Sequence, residues 1–292
     1  MVQPYLGLKR SYKLPALIGL MRVGNASLMG LAVLASEWVA LKAPAPLLQE
    51  VAGFLVAFCI TSGVMVTNDY FDRDIDKINR PERPIPSGKV RPSEALAFST
   101  FLFSVGIAAS ALGPWYAYAL PIALFSLFIS LAYNAALKRK GLLGNAIVSF
   151  NVALPFIYGS LMVGRPTSVM NDLFFGYAFV ANMAREILKG IPDVAGDRSR
   201  GVNTLAVARG SKFAALIAFV LLVADVASSP IPYFLGVAGK WYLVTLILGD
   251  GLLIHSSLAV VMSPEPRTVD RKKSEMLLGM AIIVIAFLLS PL

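Results

Sequence analysis

Asn68, Asp72 and Asp76 recur at intervals of four in the run NDYFDRDIDKINRPERPIPSGKV, residues 68–90. On a helix that spacing stacks three oxygen donors on one face, and Asp69 adds a further carboxylate close by. Stacked carboxylates repel one another, so the segment requires countercharge from arginines or from hard divalent cations. A second run, REILKGIPDVAGDRSRGVNTL at 185–205, places Asp193 and Asp197 four apart, with Lys189 four before Asp193 and Arg185 four before Lys189. Pro192 and Gly196 make a regular helix doubtful there, so this spacing implies convergence only. Carboxylate and amide oxygens suit Mg²⁺, which takes one or two protein carboxylates and completes its octahedron with phosphates and water. A His/Cys metal site is excluded by inventory, because the chain has one cysteine, Cys59, and one histidine, His255. Two such clusters facing each other would bridge a diphosphate through Mg²⁺, with lysines and arginines neutralising the remaining charge.

The chain that must position these groups is membrane-like. Its residues are 57% hydrophobic and 15% charged, with a mean hydropathy of +0.71, whereas a soluble domain is about 25% charged. We read an all-α, polytopic helical bundle forming one domain over 1–292. A span needs roughly 20 apolar residues. Nine candidates are found, at 15–41, 46–68, 93–112, 114–137, 143–164, 170–190, 212–232, 238–261 and 274–291. The first is read as an uncleaved span, because no small-residue cleavage site follows a short apolar core. Gly113-Pro114 leaves so short a junction that the third and fourth spans should form a tight antiparallel hairpin.

The net charge of +9 suits lipid headgroups rather than nucleic acid, since the cations sit in short loops between apolar runs. With the N-terminus cytoplasmic, 21 of the 26 lysines and arginines fall on the cytoplasmic side, and only Lys42, Arg165 and Lys240 on the other. The same topology puts both acidic clusters on the cytoplasmic side, four spans apart, which hints at two four-helix halves and a ninth helix. A mixed-charge loop is often plain solvated surface. Two of them on one side, each starting at a span end with acids four apart, argue for a site. An ion-coupled carrier would instead keep its acids mid-membrane in broken helices.

Other residues read as structural. Cys59 is expected to be a small buried hydrophobe. Gly19, Gly24 and Gly30 are expected at close helix crossings, and Trp115, Tyr116 and Tyr118 in an interfacial aromatic belt. His255 is expected to be packed or interfacial, and Asp225 and Asp250 to lie near the far interface or bind a neighbouring helix.

At these residues the sequence resembles the UbiA superfamily of intramembrane prenyltransferases. The family's NDxxDxxxD motif matches Asn68 to Asp76, and its DxxxD motif matches Asp193 to Asp197. YNAALKRKGLLGN looks like its tyrosine–lysine–asparagine stretch, giving Tyr133, Lys138 and Asn145. RVGN looks like its Arg-x-x-Asn, giving Arg22 and Asn25, with Val23 where a proline is frequent. Gly190 stands where many members carry an aspartate.

The resemblance covers nearly the whole chain and implies a Mg²⁺-dependent transferase working on a prenyl diphosphate and a lipid-soluble acceptor among membrane lipids, without an obligate protein partner. It implies metal ligands at Asn68, Asp69, Asp72, Asp76, Asp193 and Asp197. Asp72, Asp76, Asp193, Asp197 and Lys189 carry the catalysis on this reading. Arg22, Asn25, Asn68, Arg73, Lys77, Tyr133, Lys138, Asn145 and Arg185 bind substrate. The runs after the two motifs look most like archaeal members that alkylate geranylgeranylglyceryl phosphate. The alternative acceptor is an aromatic acid such as 4-hydroxybenzoate or a quinone or chlorophyll precursor.

Overall fold

The computed structural model describes residues 13–199 and 201–292; Lys9, Arg10 and Arg200 of the charge count lie outside them. Among the described residues every regular element is helical. The first expected span is broken into α1 (Lys13–Met21) and α2 (Val23–Leu41) at Arg22, whose φ of 50° is left-handed. A non-glycine residue there costs roughly 1–2 kcal/mol, so its surroundings must hold it. α3 (Leu47–Asn79) has 33 residues. At 1.5 Å per residue it is about 50 Å long, against an apolar membrane core of about 30 Å. Its last turns therefore carry Asn68 to Asp76 out of the membrane as one continuous helix.

α4 (Pro92–Ser110) opens with proline in its first turn, and the Arg91 amide donates to Glu94 Oε2 at 3.0 Å, which satisfies an amide at the helix start. Lys13 ties this end to α1 by a 2.6 Å pair with Glu94. α5 (Tyr116–Ala135) leads through one 3₁₀ turn (Leu137–Arg139) into α6 (Leu142–Met162). α7 (Val169–Lys189) is followed by the short α8 (Val194–Ser199) and α9 (Leu205–Arg209). α10 (Ser211–Ser228), α11 (Ile231–Phe234), α12 (Lys240–Met262) and α13 (Pro266–Leu289) complete the chain.

Among the described residues seven segments are long and apolar enough to cross a membrane: α2 to α6, α10 with α11, and α12. α7 and α13 match two of the nine expected spans in position, but each carries a cluster of charges at one end: Arg185, Glu186 and Lys189 in α7, and Arg267 to Glu275 in α13. Large apolar side chains face outward along the bundle, among them Phe128, Ile247 and Leu248. In water such a surface would aggregate; in lipid it is the solvated face.

Helices adjacent in sequence pack against each other, α2 lies against α3 and α6, and α13 returns to α2 and α7. Small residues permit the tightest crossings. A Cβ on Gly159 would sit 2.4 Å from the Val33 carbonyl, so α6 meets the backbone of α2, and Gly249 and Gly279 face each other's carbonyls between α12 and α13. The Asn171 amide, fully buried, donates to the Ser36 and Phe156 carbonyls, both at 3.0 Å, and fixes α7 to α2 and α6. Cys59 is buried, and Trp115, Tyr116 and Tyr118 are exposed at the start of α5. Asp250 accepts a 2.7 Å hydrogen bond from Ser229, and His255 lies 3.4 Å from Glu275.

Candidate active site

Because α3 stays helical through Asn79, Asn68, Asp72 and Asp76 share one face and line one cavity of about 620 Å³. The second acidic run arrives from the other half of the chain. α7 ends at Lys189, and after the turn through Pro192 the backbone re-forms a helical bond from the Asp197 amide to the Asp193 carbonyl, 2.8 Å. Asp197 lines the same cavity, whereas Asp193 is exposed before α8 and does not line it. Tyr133 at the end of α5, Lys138 in the 3₁₀ turn and Arg22 at the break between α1 and α2 complete the expected lining.

Asp69, Asp72 and Asp76 each meet a cation from outside α3. Lys138 pairs with Asp72. Arg83 Nη1 bridges Asp76 Oδ2 at 2.6 Å and Asp69 Oδ1 at 3.3 Å. Arg22 Nη2 donates to Asp69 Oδ1 at 2.8 Å, which gives the strained Arg22 backbone a function in the packing. Asp69 is one residue past Asn68, about 100° around the helix. It is buried and is itself no part of the cavity lining, although the two arginines it engages are, and it lies apart from the face shared by the other three donors.

The remaining expected residues are distributed around the site. Lys77 pairs with Asp74 at 2.8 Å on the exposed side of α3, beyond its apolar stretch. That hydrogen bond and charge hold the Asp74 carboxyl below its usual range. Arg73 stacks over the Tyr70 ring at 4.5 Å. Lys189 and Arg185 both lie beside Glu186, at 2.7 and 3.6 Å. Asn25 is exposed in the first turn of α2, and Asn145 is half-buried in the first turn of α6; neither lines the cavity.

Two residues with clear roles in this geometry were not singled out by spacing. One is Arg83, whose only sequence signal is its place among the cations after the first motif. The other is Asn134, which receives the Asn68 amide on its Oδ1 at 3.1 Å and donates to Thr67 and the Val64 carbonyl. Its sequence signal is only adjacency to Tyr133.

Asn68, Asp72, Asp76 and Asp197 give the cavity oxygen donors with no histidine or cysteine, a set that suits a hard divalent cation. Among the described residues no three carboxylate, histidine or cysteine groups are gathered as a ready-made metal cluster; the carboxylates instead hold lysine and arginine partners. The lining also carries five cations, Arg22, Arg80, Arg83, Lys138 and Arg139, against three carboxylates. The cavity is thus built to receive a polyanion.

A bundle of apolar helices with paired acidic motifs at one end defines an intramembrane transferase of prenyl groups. Residues 26–283 match the model of the UbiA prenyltransferase family, and the chain belongs to that family. It is 40% identical over 232 residues, 79% of this chain and 82% of the other, to the digeranylgeranylglyceryl phosphate synthase of Natronomonas pharaonis. A solved structure of a digeranylgeranylglyceryl phosphate synthase superposes with a TM-score of 0.83 at 29% identity, covering 96% of this chain and 98% of that one. A UbiA homologue of Archaeoglobus fulgidus, solved with DMAPP and Mg²⁺, shares the fold at a TM-score of 0.63 and 16% identity, over 91% and 98% of the two chains.

Proposed function

We propose that this enzyme transfers a geranylgeranyl group from its diphosphate to geranylgeranylglyceryl phosphate, forming the second ether bond of an archaeal lipid. The observation that carries this reading is the meeting of Asp72 and Asp76 with Asp197 in one cation-rich cavity. The relatives named digeranylgeranylglyceryl phosphate synthase support the acceptor. So does the excess of cations, since diphosphate and acceptor phosphate bring more negative charge than a diphosphate alone.

In this reading Asn68, Asp72, Asp76 and Asp197, with Asp193 one turn before, hold Mg²⁺. The metal supplies charge neutralisation that makes diphosphate a better leaving group. Lys138, Arg22, Arg80 and Arg139 bind phosphate oxygens and stabilise the charge that grows as the allylic C–O bond breaks. The electron pair of that bond leaves with diphosphate. The acceptor hydroxyl oxygen then bonds to the allylic carbon, and its proton passes to an oxygen of the departing diphosphate. The apolar bundle keeps water from the cation. Tyr133 lines the substrate cavity, while Lys189 and Arg185 set the charge around Glu186 and the second motif. Asp69 anchors Arg22 and Arg83 at the edge of the site.

The same reading takes α7 and α13 as the sixth and ninth of nine spans in a single-domain bundle. It places the N-terminus and both acidic motifs on the cytoplasmic side, in line with the distribution of lysine and arginine. The test is a product assay on purified enzyme with geranylgeranyl diphosphate and either geranylgeranylglyceryl phosphate or 4-hydroxybenzoate, with and without Mg²⁺. Product with the glyceryl phosphate alone, lost on chelation, is expected; prenylated 4-hydroxybenzoate as the main product overturns the acceptor. Asp72→Asn and Asp197→Asn should each lower kcat by roughly a hundredfold or more while the protein still folds.

A further inference from the structure

At the end of the bundle opposite the acidic motifs lies a second cavity of about 220 Å³. α2 starts beside the first cavity and ends at this one. Its 19 residues separate the two by about 28 Å. The polar lining is Lys42, Arg165, Thr167, Ser168 and Ser290, and no carboxylate lines it. Lys42 and Arg165 have no ion-pair partner among the described residues. Ser168 immediately precedes α7, and Val169 lines the cavity too. The unbonded amides and the positive end of a 21-residue helix therefore border it.

A further observation points to a missing ligand. Ser290 is 2% exposed, and its hydroxyl has no hydrogen-bond partner among the described residues, although buried hydroxyls are normally satisfied. Two unpaired cations, a helix start and an unsatisfied hydroxyl together make an anion site. α2 is one of the seven segments long and apolar enough to cross a membrane, and with α7 and α13 read as spans in the proposed function, its end places the cavity at the level of lipid headgroups.

We propose that this cavity binds the phosphate group of a membrane-lipid headgroup, with Lys42 and Arg165 as countercharges and α7 and the serine hydroxyls as donors. The lipid anchors α2, α7 and α13 to one another at the end of the bundle remote from the chemistry. Inorganic phosphate offers the same group without the acyl or alkyl chains, so the test separates the two sources.

Full-length protein in a neutral maltoside detergent is titrated with short-chain phosphatidylglycerol, with a neutral glycolipid of the same chain length, and with inorganic phosphate. Thermal unfolding and native mass spectrometry report binding. Phosphatidylglycerol should raise Tm and remain bound, and the neutral glycolipid should do neither. Lys42→Asn/Arg165→Gln should weaken phosphatidylglycerol binding by about tenfold or more through loss of two charge-assisted contacts, with kcat for prenyl transfer unchanged. Asparagine tolerates the left-handed backbone at Lys42. Should the double variant fail to fold, Arg165→Gln alone should weaken binding by about threefold. Equal binding of the neutral glycolipid, or undiminished binding by the variants, overturns the proposal. Binding of inorganic phosphate without binding of the lipid overturns the lipid assignment.

Discussion

Asp69 is paired with two arginines and lies off the face shared by Asn68, Asp72 and Asp76, so we predict that it anchors the motif and binds no metal. Its side chain is 7% exposed and faces Arg22 and Arg83; Arg83 in turn bridges to Asp76, 8% exposed. Arg83→Ala removes the single nitrogen that serves both carboxylates. It leaves Asp76 buried without that partner and Asp69 with Arg22, which is 36% exposed and so screened by water. Breaking a buried pair from one side costs about 3–5 kcal/mol. Arg83 retains some exposure, and Asp69 keeps one cation, so the expected loss is near the lower end, about 3 kcal/mol. For a chain of this size that is a fall in Tm of roughly 6–12 °C. Arg83→Lys should recover part of it, because one ammonium can replace one nitrogen between two acids. Asp69→Asn removes one charge but leaves Arg83 its bond to Asp76, so it should cost less, about 2 kcal/mol. The assay is thermal unfolding in detergent, alongside prenyl transfer across a Mg²⁺ titration. An anchoring Asp69 predicts lower Tm with an unchanged half-saturating Mg²⁺ concentration. An Arg83→Ala protein within about 1 °C of the parent, or an Asp69→Asn protein whose Mg²⁺ requirement rises severalfold at unchanged Tm, would refute the reasoning.

Three further outcomes follow from the packing and the cavity. Lys138→Gln should raise KM for the prenyl diphosphate by about tenfold, the loss of one charge-assisted phosphate contact, while Tm changes little because Asp72 is part-exposed and water can replace its partner. Gly159→Ala should lower stability by about 1–3 kcal/mol, read as Tm, since its Cβ would press on the α2 backbone. Asn171→Leu should cost about 1–3 kcal/mol by leaving buried carbonyls of Ser36 and Phe156 without the amide that bonds them; unchanged unfolding would show that those carbonyls find other donors.

The parts of the structure that were legible in the sequence are those fixed by period. The four-residue spacing of Asn68, Asp72 and Asp76 needed only a continuous helix, and α3 is continuous through Asn79. The same geometry explains why Asp69 departs from the expected donor set: an offset of one residue turns a side chain away from its neighbour's face, and composition cannot register that. The first expected span hid a break, because hydropathy is blind to a left-handed residue such as Arg22, whose partner Asp69 lies 47 positions on. Arg83 and Asn134 were equally invisible, since their roles depend on which helix the chain returns to. The charged ends of α7 and α13 keep both helices below an apolarity criterion for spans, although each matches an expected span in position.

Asp69, Asp72, Asp74 and Asp76 each hold a cation partner, which bears on how the site takes up substrate. A row of bare acids stacked on one helix face would repel itself. Lys138 on Asp72 and Arg83 on Asp76 supply the countercharge. We predict that an entering diphosphate binds Lys138 and thereby frees Asp72 from its partner. Diphosphate and Mg²⁺ then each favour the other's binding, and linkage requires the effect to be reciprocal. In Lys138→Gln that coupling should shrink, because Asp72 no longer waits on the departure of a lysine. A Mg²⁺ affinity measured with and without a non-hydrolysable prenyl diphosphate analogue would then differ less than it does in the parent enzyme. An undiminished difference would mean that the two ligands communicate through direct contact and that the Lys138–Asp72 pair plays no part.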